Sequence, residues 1–229
     1  MLYLSKIDFP DYKVWEKHFI STQKYTRFRS VCSEWVRQFE INGPINPRDK
    51  ALFNLDHDRN LPTIFWYEWI LNQVSCNDLV LDIGCGNHLF KSLYPDRNLI
   101  GADKGDNLNS DVKAYLMDLD EYAGKAKAAF CFNSIHFADD EGFKSNLEYL
   151  SGLLQPNSFA VITVNNTQID KFRVKSIELK KDSVDSIFNA ISTSDEYELV
   201  YFESKIEYTN VKASLTGDIH IVIRSPLLP

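Results

Sequence analysis

The chain has 229 residues, 44% of them hydrophobic, which suits one α/β domain with a well-buried core plus an added segment and argues against two independent domains. Its formal net charge is −7, and such a balance disfavours general binding to DNA or RNA unless a local basic patch overrides it. No run approaches the roughly 18 apolar residues of a membrane span, and the first residues lack a signal-peptide core. We therefore expect a soluble protein that does not enter a membrane.

Cysteine usage points to a cytoplasmic protein without a metal site. The four cysteines stand at positions 32, 76, 85 and 131 without Cys-x-x-Cys spacing, so we interpret them as reduced thiols. Asp56, His57 and Asp58 offer oxygen and nitrogen ligands, but adjacent residues point in different directions and rarely meet on one ion. We interpret that stretch as a polar loop.

The first 77 residues predict helices that precede the main fold. An apolar face at spacings of four, three and four residues predicts a helix that stops at 42–44, and it consists of Phe28, Cys32, Trp35 and Phe39. A second helix, with Pro62 near its first turn, is indicated by Ile64, Tyr67, Leu71 and Val74. All four tryptophans and 14 of the 30 aromatic residues lie in this segment. We predict that most of them pack as core and that some border a substrate pocket.

From residue 78 to the end, strands and helices alternate, which is typical of βαβ units around a parallel sheet. The predicted strands cover 78–83, 98–103, 112–117, 128–134, 159–165, 197–203 and 218–224, and the clearest helices cover 139–154 and 183–192. The last two strands are joined by a short connection without a helical period, so we expect them to pair antiparallel. The predicted domains are a helical segment 1–77 and a core 78–229.

The most informative motif is a glycine pair at the end of an apolar strand. Asp82 opens the sequence Asp-Ile-Gly-Cys-Gly, which ends at Gly86, and Asp103 follows seventeen residues later. Such glycines let the backbone approach a ligand, and an acid at the tip of the next strand can accept two ribose hydroxyls. A dinucleotide fingerprint would need glycine where Leu89 stands, and the carboxylate of Asp82 would repel a diphosphate. A nucleoside-binding crevice is therefore favoured over a dinucleotide site or a ligand-free turn.

At these residues the chain resembles the class I S-adenosylmethionine-dependent methyltransferases. Four stretches carry the resemblance, namely Leu79 to Gly86, Leu99 to Asp103, Tyr115 to Leu119 and Ala129 to His136, and together they anchor a match over residues 78–224. The resemblance implies a Rossmann-like, doubly wound sheet of seven strands, mostly parallel with the last strand antiparallel. One departure is His88, which stands where the family usually has the last glycine of its loop.

The resemblance also implies S-adenosyl-L-methionine as cofactor and a set of residues that bind it. Asp103 would hold the ribose, Asp118 and the backbone N–H of Leu119 the adenine, and Asp82 the methionine ammonium. The other cofactor-binding candidates are Gly84, Cys85, Gly86, His88, Lys104, Asn133 and Ser134. Helix capping by Asp103 and Asp118, orientation of the glycine loop by Asp82, and a small residue filling a tight turn at Cys85 stay open as alternatives.

Catalysis is predicted at the exit of the fourth strand. His136 is our candidate general base because an unperturbed histidine titrates near neutrality, and Asn133 is placed beside it. A pocket wall is the competing role for His136. After the fifth strand, Asn165 and Asn166 would contact substrate or cap a turn. A basic stretch, formed by Lys171, Arg173, Lys175, Lys180 and Lys181, would steer a phosphate-bearing substrate or simply face solvent.

The predicted activity is transfer of a methyl group by in-line displacement to a small molecule or a protein side chain. The stretch from Asn133 to His136 lacks the Asn-Pro-Pro-Tyr pattern of amino-methylating DNA enzymes. The alternatives are a non-catalytic binding or regulatory protein with the cofactor fold, an RNA-modifying methyltransferase and an oxidoreductase.

Overall fold

The computed structural model of the chain describes residues 3–41, 61–86, 88–105, 110–132, 134–135, 140–165, 181–204, 207–208, 215–216 and 218–227. Its strands are β1 Tyr3–Ser5, β2 Val80–Ile83, β3 Leu99–Ala102, β4 Ala126–Phe132, β5 Leu154–Asn165, β6 Glu198–Ser204, β7 Glu207–Tyr208, β8 Leu215–Thr216 and β9 Asp218–Arg224. Its α-helices are α1 Tyr12–Ile20, α2 Gln23–Ile41, α3 Leu61–Leu71, α4 Asp140–Leu153 and α5 Lys181–Ile191. Short 3₁₀ helices cover Leu89–Leu93, Leu116–Asp118 and Asp120–Tyr122.

A seven-stranded mixed sheet organises these elements in the order β1-β6-β9-β5-β4-β2-β3. Strands β3, β2, β4 and β5 pair in parallel, whereas β9 runs antiparallel to both β5 and β6, and β1 runs antiparallel to β6. The predicted fold class, an α/β sheet that is mostly parallel with its last strand antiparallel, is confirmed. A separate two-stranded ladder pairs β7 with β8.

One predicted strand is wrong, and an unpredicted one completes the sheet. The segment 112–117 contributes a single bridge, between Ala102 and Val112, and then turns into the 3₁₀ helix Leu116–Asp118. The carboxylate of Asp111 accepts the N–H of Gly101 at 2.9 Å, so a side chain takes the place of a ladder bond. The seventh strand is β1, at the opposite edge of the sheet. Its three residues are too few to show a hydrophobic period.

The predicted helices are present, with one change in what they bury. Helices α4 and α5 match the predicted ranges to within two residues. Helix α2 is described as far as Ile41, and the predicted stop at 42–44 lies outside the described residues. Helix α3 ends before Val74, and instead of one apolar face it has eight buried residues among eleven. A helix that is apolar all round belongs in a protein core.

Two apolar cores lie on opposite faces of the sheet. One contains α4 and α5 residues packed against Leu81 and Ile83 of β2. The other, here called the α3 face, contains α3 together with Phe19 of α1 and Phe28 of α2, packed against Val80 and the neighbouring strands. The alternation along β2 follows from the period of two in a strand. The division into segments 1–77 and 78–229 stays a prediction, and β1 of the first segment is part of the sheet. None of the described helices is long and apolar enough to cross a bilayer.

Candidate functional site

The glycine loop lies at the carboxyl end of β2, where ligands bind in open α/β sheets. Gly84 has a φ of +74°, and its N–H donates to the carbonyl of Ala102 at 2.7 Å. A Cβ at Gly84 would stand 2.1 Å from the Cβ of Ser134, whose hydroxyl donates to the carbonyl of Ile83 at 2.7 Å. The exits of β2 and β4 therefore approach each other so closely that only glycine fits between them.

Asp103 and Gly86 are brought together at the tips of β3 and β2. The N–H of Gly86 donates to Oδ2 of Asp103 at 3.0 Å, and the N–H of Gly105 donates to Oδ1 at 2.9 Å. An ionised carboxylate has about four acceptor positions, so capacity for two hydroxyls is left. Among the described residues a Cβ at Gly86 would meet nothing within 4 Å, so in that part of the chain the loop backbone borders open space beside this carboxylate. These residues fit a ribose bound at the loop.

Asp82 is buried beneath the glycine loop and is hydrogen-bonded to Tyr67, which the sequence pattern predicts only as part of a helix face. Tyr67 of α3 donates its hydroxyl to Oδ2 of Asp82. The Tyr67 ring is fully buried, stacked on Phe130 at 3.8 Å and on Tyr94 at 5.8 Å between centroids. The Tyr67 hydroxyl on the apolar side of α3 is the sequence signal for this role, but its partner is visible only in the fold.

Burial raises the pKa of Asp82 to about 7, and the charge of Asp103 acts in the same direction, while the bond from Tyr67 lowers it. Burial raises the pKa of Tyr67 well above its usual value, so its hydroxyl stays protonated and donates. Burial, followed by the charge of Asp82, also raises the pKa of Cys85. Cys85 is therefore a thiol in a tight turn rather than a reactive thiolate.

His88 fills a gap between the loop and β3. Its φ of 52° is left-handed, and its side chain is buried with Nδ1 3.2 Å from Oδ2 of Asp111. Burial lowers the pKa of His88, against the opposing effect of Asp111, so the ring is neutral at pH 7 and suits donation from Nδ1. A Cβ at Gly101 would stand 2.5 Å from Cε1 of the ring. The side chain at the family's glycine position is thus packed against the sheet.

Replacing Gly101 with alanine is expected to lower the free energy of unfolding by about 1–3 kcal/mol, because the new methyl group would overlap the His88 ring. Gly152 of α4 is the matched control, since a Cβ there meets none of the residues that the structure describes within 4 Å. Its replacement with alanine should stabilise by up to about 1 kcal/mol through helix propensity. Urea denaturation of both variants measures the difference, and equal effects would contradict the proposed packing of His88.

The residues predicted to bind adenine make the hydrogen bonds of a helix cap. The carboxylate of Asp118 accepts the N–H of Tyr115 at 3.2 Å, and the N–H of Leu119 donates to the carbonyl of Leu116 at 3.2 Å. Lys104 reaches the hydroxyl of Tyr115 at 3.1 Å. Contacts of Asp118 and Leu119 with adenine stay a prediction. For the N–H of Leu119 to donate to adenine, its 3₁₀ hydrogen bond must open or be shared.

The predicted catalytic pair, Asn133 and His136, lies outside the described residues. The same holds for Asn166, for most of the basic stretch and for the segment 56–58, and nothing is described of the side chains of Asn165 and Lys181. Among the described residues, no group of three or more His, Cys, Asp and Glu side chains is placed to hold a metal ion.

Comparison with known proteins adds evidence about the fold. No protein-family model matches the chain, and no curated protein matches it in sequence. The 1,6-didemethyltoxoflavin-N1-methyltransferase of Burkholderia thailandensis, solved with 1,6-didemethyltoxoflavin and S-adenosylhomocysteine, superposes with a TM-score of 0.52 at 13% identity, over 97% of this chain and 95% of that one. The magnesium protoporphyrin IX methyltransferase of Synechocystis PCC 6803, solved with bound SAM, gives 0.51 at 12% identity, over 96% and 100%.

The chain has the methyltransferase fold. The resemblance predicted from the motifs is confirmed at this level, because both superpositions extend over nearly the whole chain. In this methyltransferase fold the loop at Gly84 and the acid at Asp103 lie at the carboxyl ends of adjacent parallel strands, β2 and β3.

Proposed function

We propose that the protein is an S-adenosylmethionine-dependent methyltransferase that acts on a small molecule or a protein side chain. The observation that carries the proposal is the contact between the glycine loop and Asp103, which leaves a carboxylate with spare acceptor capacity beside an open backbone. The superposition on two methyltransferases supports the proposal at the level of the fold. A cytoplasmic location is part of the proposal, supported by the free thiols of Cys76, Cys85 and Cys131.

Each residue of the site has a defined task in this proposal. Asp103 accepts the ribose hydroxyls, the loop at Gly86 lets the nucleoside approach the backbone, and ionised Asp82 attracts the methionine ammonium. When bound, S-adenosylmethionine supplies a methyl group on a sulfonium, which is already electrophilic. The chain therefore has to align an acceptor with the carbon–sulfur bond, and alignment of that kind is worth on the order of 7–11 kcal/mol. His136 and Asn133 stay our predictions for handling the acceptor's proton.

Calorimetry with S-adenosylmethionine, S-adenosylhomocysteine and a nicotinamide dinucleotide tests the proposal. We expect micromolar binding of the first two and none of the third, because the carboxylate of Asp82 beneath the loop repels a diphosphate. Methyl transfer from labelled S-adenosylmethionine to fractionated metabolites is the companion assay. Binding without transfer to any fraction would favour a regulatory protein, and the absence of binding would overturn the proposal.

The proposal predicts that cofactor affinity depends on the ionisation of Asp82. Only the ionised carboxylate attracts an ammonium, and a pKa of about 7 means that the ionised fraction grows as the pH rises through neutrality. The affinity for S-adenosylhomocysteine should therefore fall as the pH drops from 7.5 to 5.5, approaching tenfold per unit below the pKa. Binding in this range should release protons, which calorimetry in buffers of different ionisation enthalpy detects.

Replacing Tyr67 with phenylalanine should move this pH dependence upward, because the variant loses the bond that stabilises the charged form of Asp82. Tyr94→Phe is the matched control, since its ring stacks on Tyr67 while its hydroxyl faces Glu68 at 3.5 Å. An unchanged midpoint in Tyr67→Phe, in a variant that remains folded, would separate Asp82 from cofactor binding.

A further inference from the structure

Two loops border the carboxylate that is predicted to hold the ribose. One is the glycine loop, 84–88, after β2, and the other, here called the β3 loop, is the segment 103–111 after β3. They meet where Asp103 accepts the N–H of Gly86 at 3.0 Å. Because Asp103 belongs to one loop and its donor to the other, the position of the two loops relative to each other governs how this carboxylate meets a ligand.

A second contact between the two loops is made by His88. Its Nδ1 lies 3.2 Å from Oδ2 of Asp111, and its side chain is only 4% exposed. Burial lowers the pKa of His88 against the opposing charge of Asp111, so at neutral pH the ring carries a single N–H. Nε2 is buried and has no hydrogen-bond partner among the described residues, so a proton there would lack an acceptor. The N–H therefore belongs on Nδ1, where Asp111 accepts it.

Asp111 belongs to the same hydrogen-bonded unit as Asp103. Oδ2 of Asp111 also accepts the N–H of Gly101 at 2.9 Å. The backbone N–H groups of Asp111 and Val112 donate to the carbonyl of Gly101 at 2.9 and 3.1 Å, and the carbonyl of Val112 accepts the N–H of Asp103 at 3.0 Å. The bond from His88 thus attaches the glycine loop to the end of β3 that carries Asp103.

His88 and Gly101 are complementary in shape. The φ of 52° at His88 lies in the left-handed region, which glycine adopts freely and histidine only occasionally. The ring packs on β3, where a Cβ at Gly101 would stand 2.5 Å from its Cε1. The loop backbone therefore keeps a conformation typical of glycine while the absence of a side chain at Gly101 leaves room for the ring.

We propose that His88 is a positioning residue for the cofactor, and that its contact with Asp111 and Gly101, here called the clasp, holds the two loops so that Asp103 meets the ribose. The inference rests on the proposed function for the identity of the ligand and on the contacts of His88 for its role. It makes histidine better than glycine at position 88 of this protein. Backbone preference alone predicts the opposite order, since glycine takes a left-handed φ without cost.

His88→Gly tests the clasp, because it removes the side chain and relaxes the backbone. We expect the affinity for S-adenosylhomocysteine, measured by calorimetry, to fall at least about tenfold below that of the natural sequence. His88→Asn should remain within about threefold. Asparagine tolerates a left-handed φ, and its amide carries an N–H donor on the atom that corresponds to Nδ1 of histidine. Unchanged or tighter binding in His88→Gly, or a loss in folded His88→Asn as large as tenfold, would overturn the proposal.

Lys91→Met is the matched control, because it removes another partner of Asp111. The Nζ of Lys91 lies 2.7 Å from Oδ1 of Asp111, but its side chain is 43% exposed, and an ion pair at the surface contributes little. The affinity of this variant should change less than about threefold. A loss as large as that expected for His88→Gly would show that charge around Asp111, and not the clasp, sets the affinity.

The 2′-deoxy analogue of S-adenosylhomocysteine distinguishes positioning from general support of the fold. In the natural sequence and in His88→Asn it should bind at least about tenfold more weakly than the parent compound, because one hydroxyl bonded to a carboxylate is missing. In His88→Gly the ratio should fall below about threefold, because Asp103 is no longer held against the ribose. A full ratio in His88→Gly, with both affinities lowered together, would contradict the positioning role.

Binding by the natural sequence keeps the two proposals apart. If it does not bind S-adenosylhomocysteine, the proposed function is contradicted and the positioning role with it. If it binds the ligand and His88→Gly binds equally well, only the role of His88 is contradicted. Circular dichroism and urea denaturation of the same preparations establish that the compared variants are folded.

Discussion

Replacement of Asp103 by alanine is expected to lower the affinity for S-adenosylhomocysteine at least about 100-fold. Two hydrogen bonds from ribose hydroxyls to a carboxylate contribute on the order of 1.5–3 kcal/mol each, and 1.4 kcal/mol corresponds to a factor of ten. The variant also leaves the amides of Gly86 and Gly105 without their acceptor, which loosens the loop. Calorimetry measures the affinity. Asp96→Ala, which removes an exposed acid before β3, should leave it unchanged.

A second ligand separates contact with the ribose from support of the loop. The 2′-deoxy analogue of S-adenosylhomocysteine should bind the natural sequence more weakly than the parent compound, because one hydroxyl is missing. In Asp103→Ala the two ligands should bind equally, since the partner of that hydroxyl is already gone. If the deoxy penalty persists in the variant, another residue holds the ribose. An undiminished affinity for the parent compound would remove the central support of the proposed function.

Replacement of Gly84 by alanine is expected to cause the largest loss of stability, at least about 3 kcal/mol in the free energy of unfolding. The φ of +74° disfavours a side chain, and the new methyl group would stand 2.1 Å from the Cβ of Ser134. Gly86 provides a matched control in the same loop. Its φ of +56° imposes similar backbone strain, but a Cβ there meets no atom of the described residues within 4 Å.

Gly86→Ala should therefore cost only about 1–2 kcal/mol, because it carries the conformational term without the clash. Urea denaturation of both variants measures the difference. Adding Ser134→Gly to Gly84→Ala should recover part of the loss, since it removes the atom that the methyl group would strike. Equal losses for the two single variants, or no recovery in the double variant, would show that the exits of β2 and β4 are farther apart than described.

The local sequence pattern was sufficient to predict much of the fold. Helices α4 and α5 follow from apolar residues at helical spacing, and the antiparallel pairing of β6 with β9 follows from a connection without a helical period. The position of Asp103 beside the glycine loop was anticipated from a strand, a glycine loop and an acid at the next strand tip. Each of these inferences uses residues that are close in sequence.

The errors occurred where pairing depends on distant partners. The alternation in 112–117 has the period of a strand, but Tyr115 is 58% exposed, and only Val112 bridges to β3. At the other edge of the sheet, β1 forms a strand because it pairs with the open edge of β6. Helix α3 was predicted with one apolar face, whereas its position between the sheet and the N-terminal helices buries it on nearly all sides. Neither edge pairing nor full burial has a local sequence period.

The sequence by itself determined the strands on either side of the glycine loop and the place of Asp103, because strand period and glycine conformation are properties of short segments. Only the tertiary structure decided that Tyr67 bonds to Asp82 and that His88 fills the hollow at Gly101. These contacts join elements whose approach is set by packing on the α3 face. Burial there also raises the pKa of Asp82 towards neutrality, an effect that depends on the surrounding fold rather than on neighbouring residues in the chain.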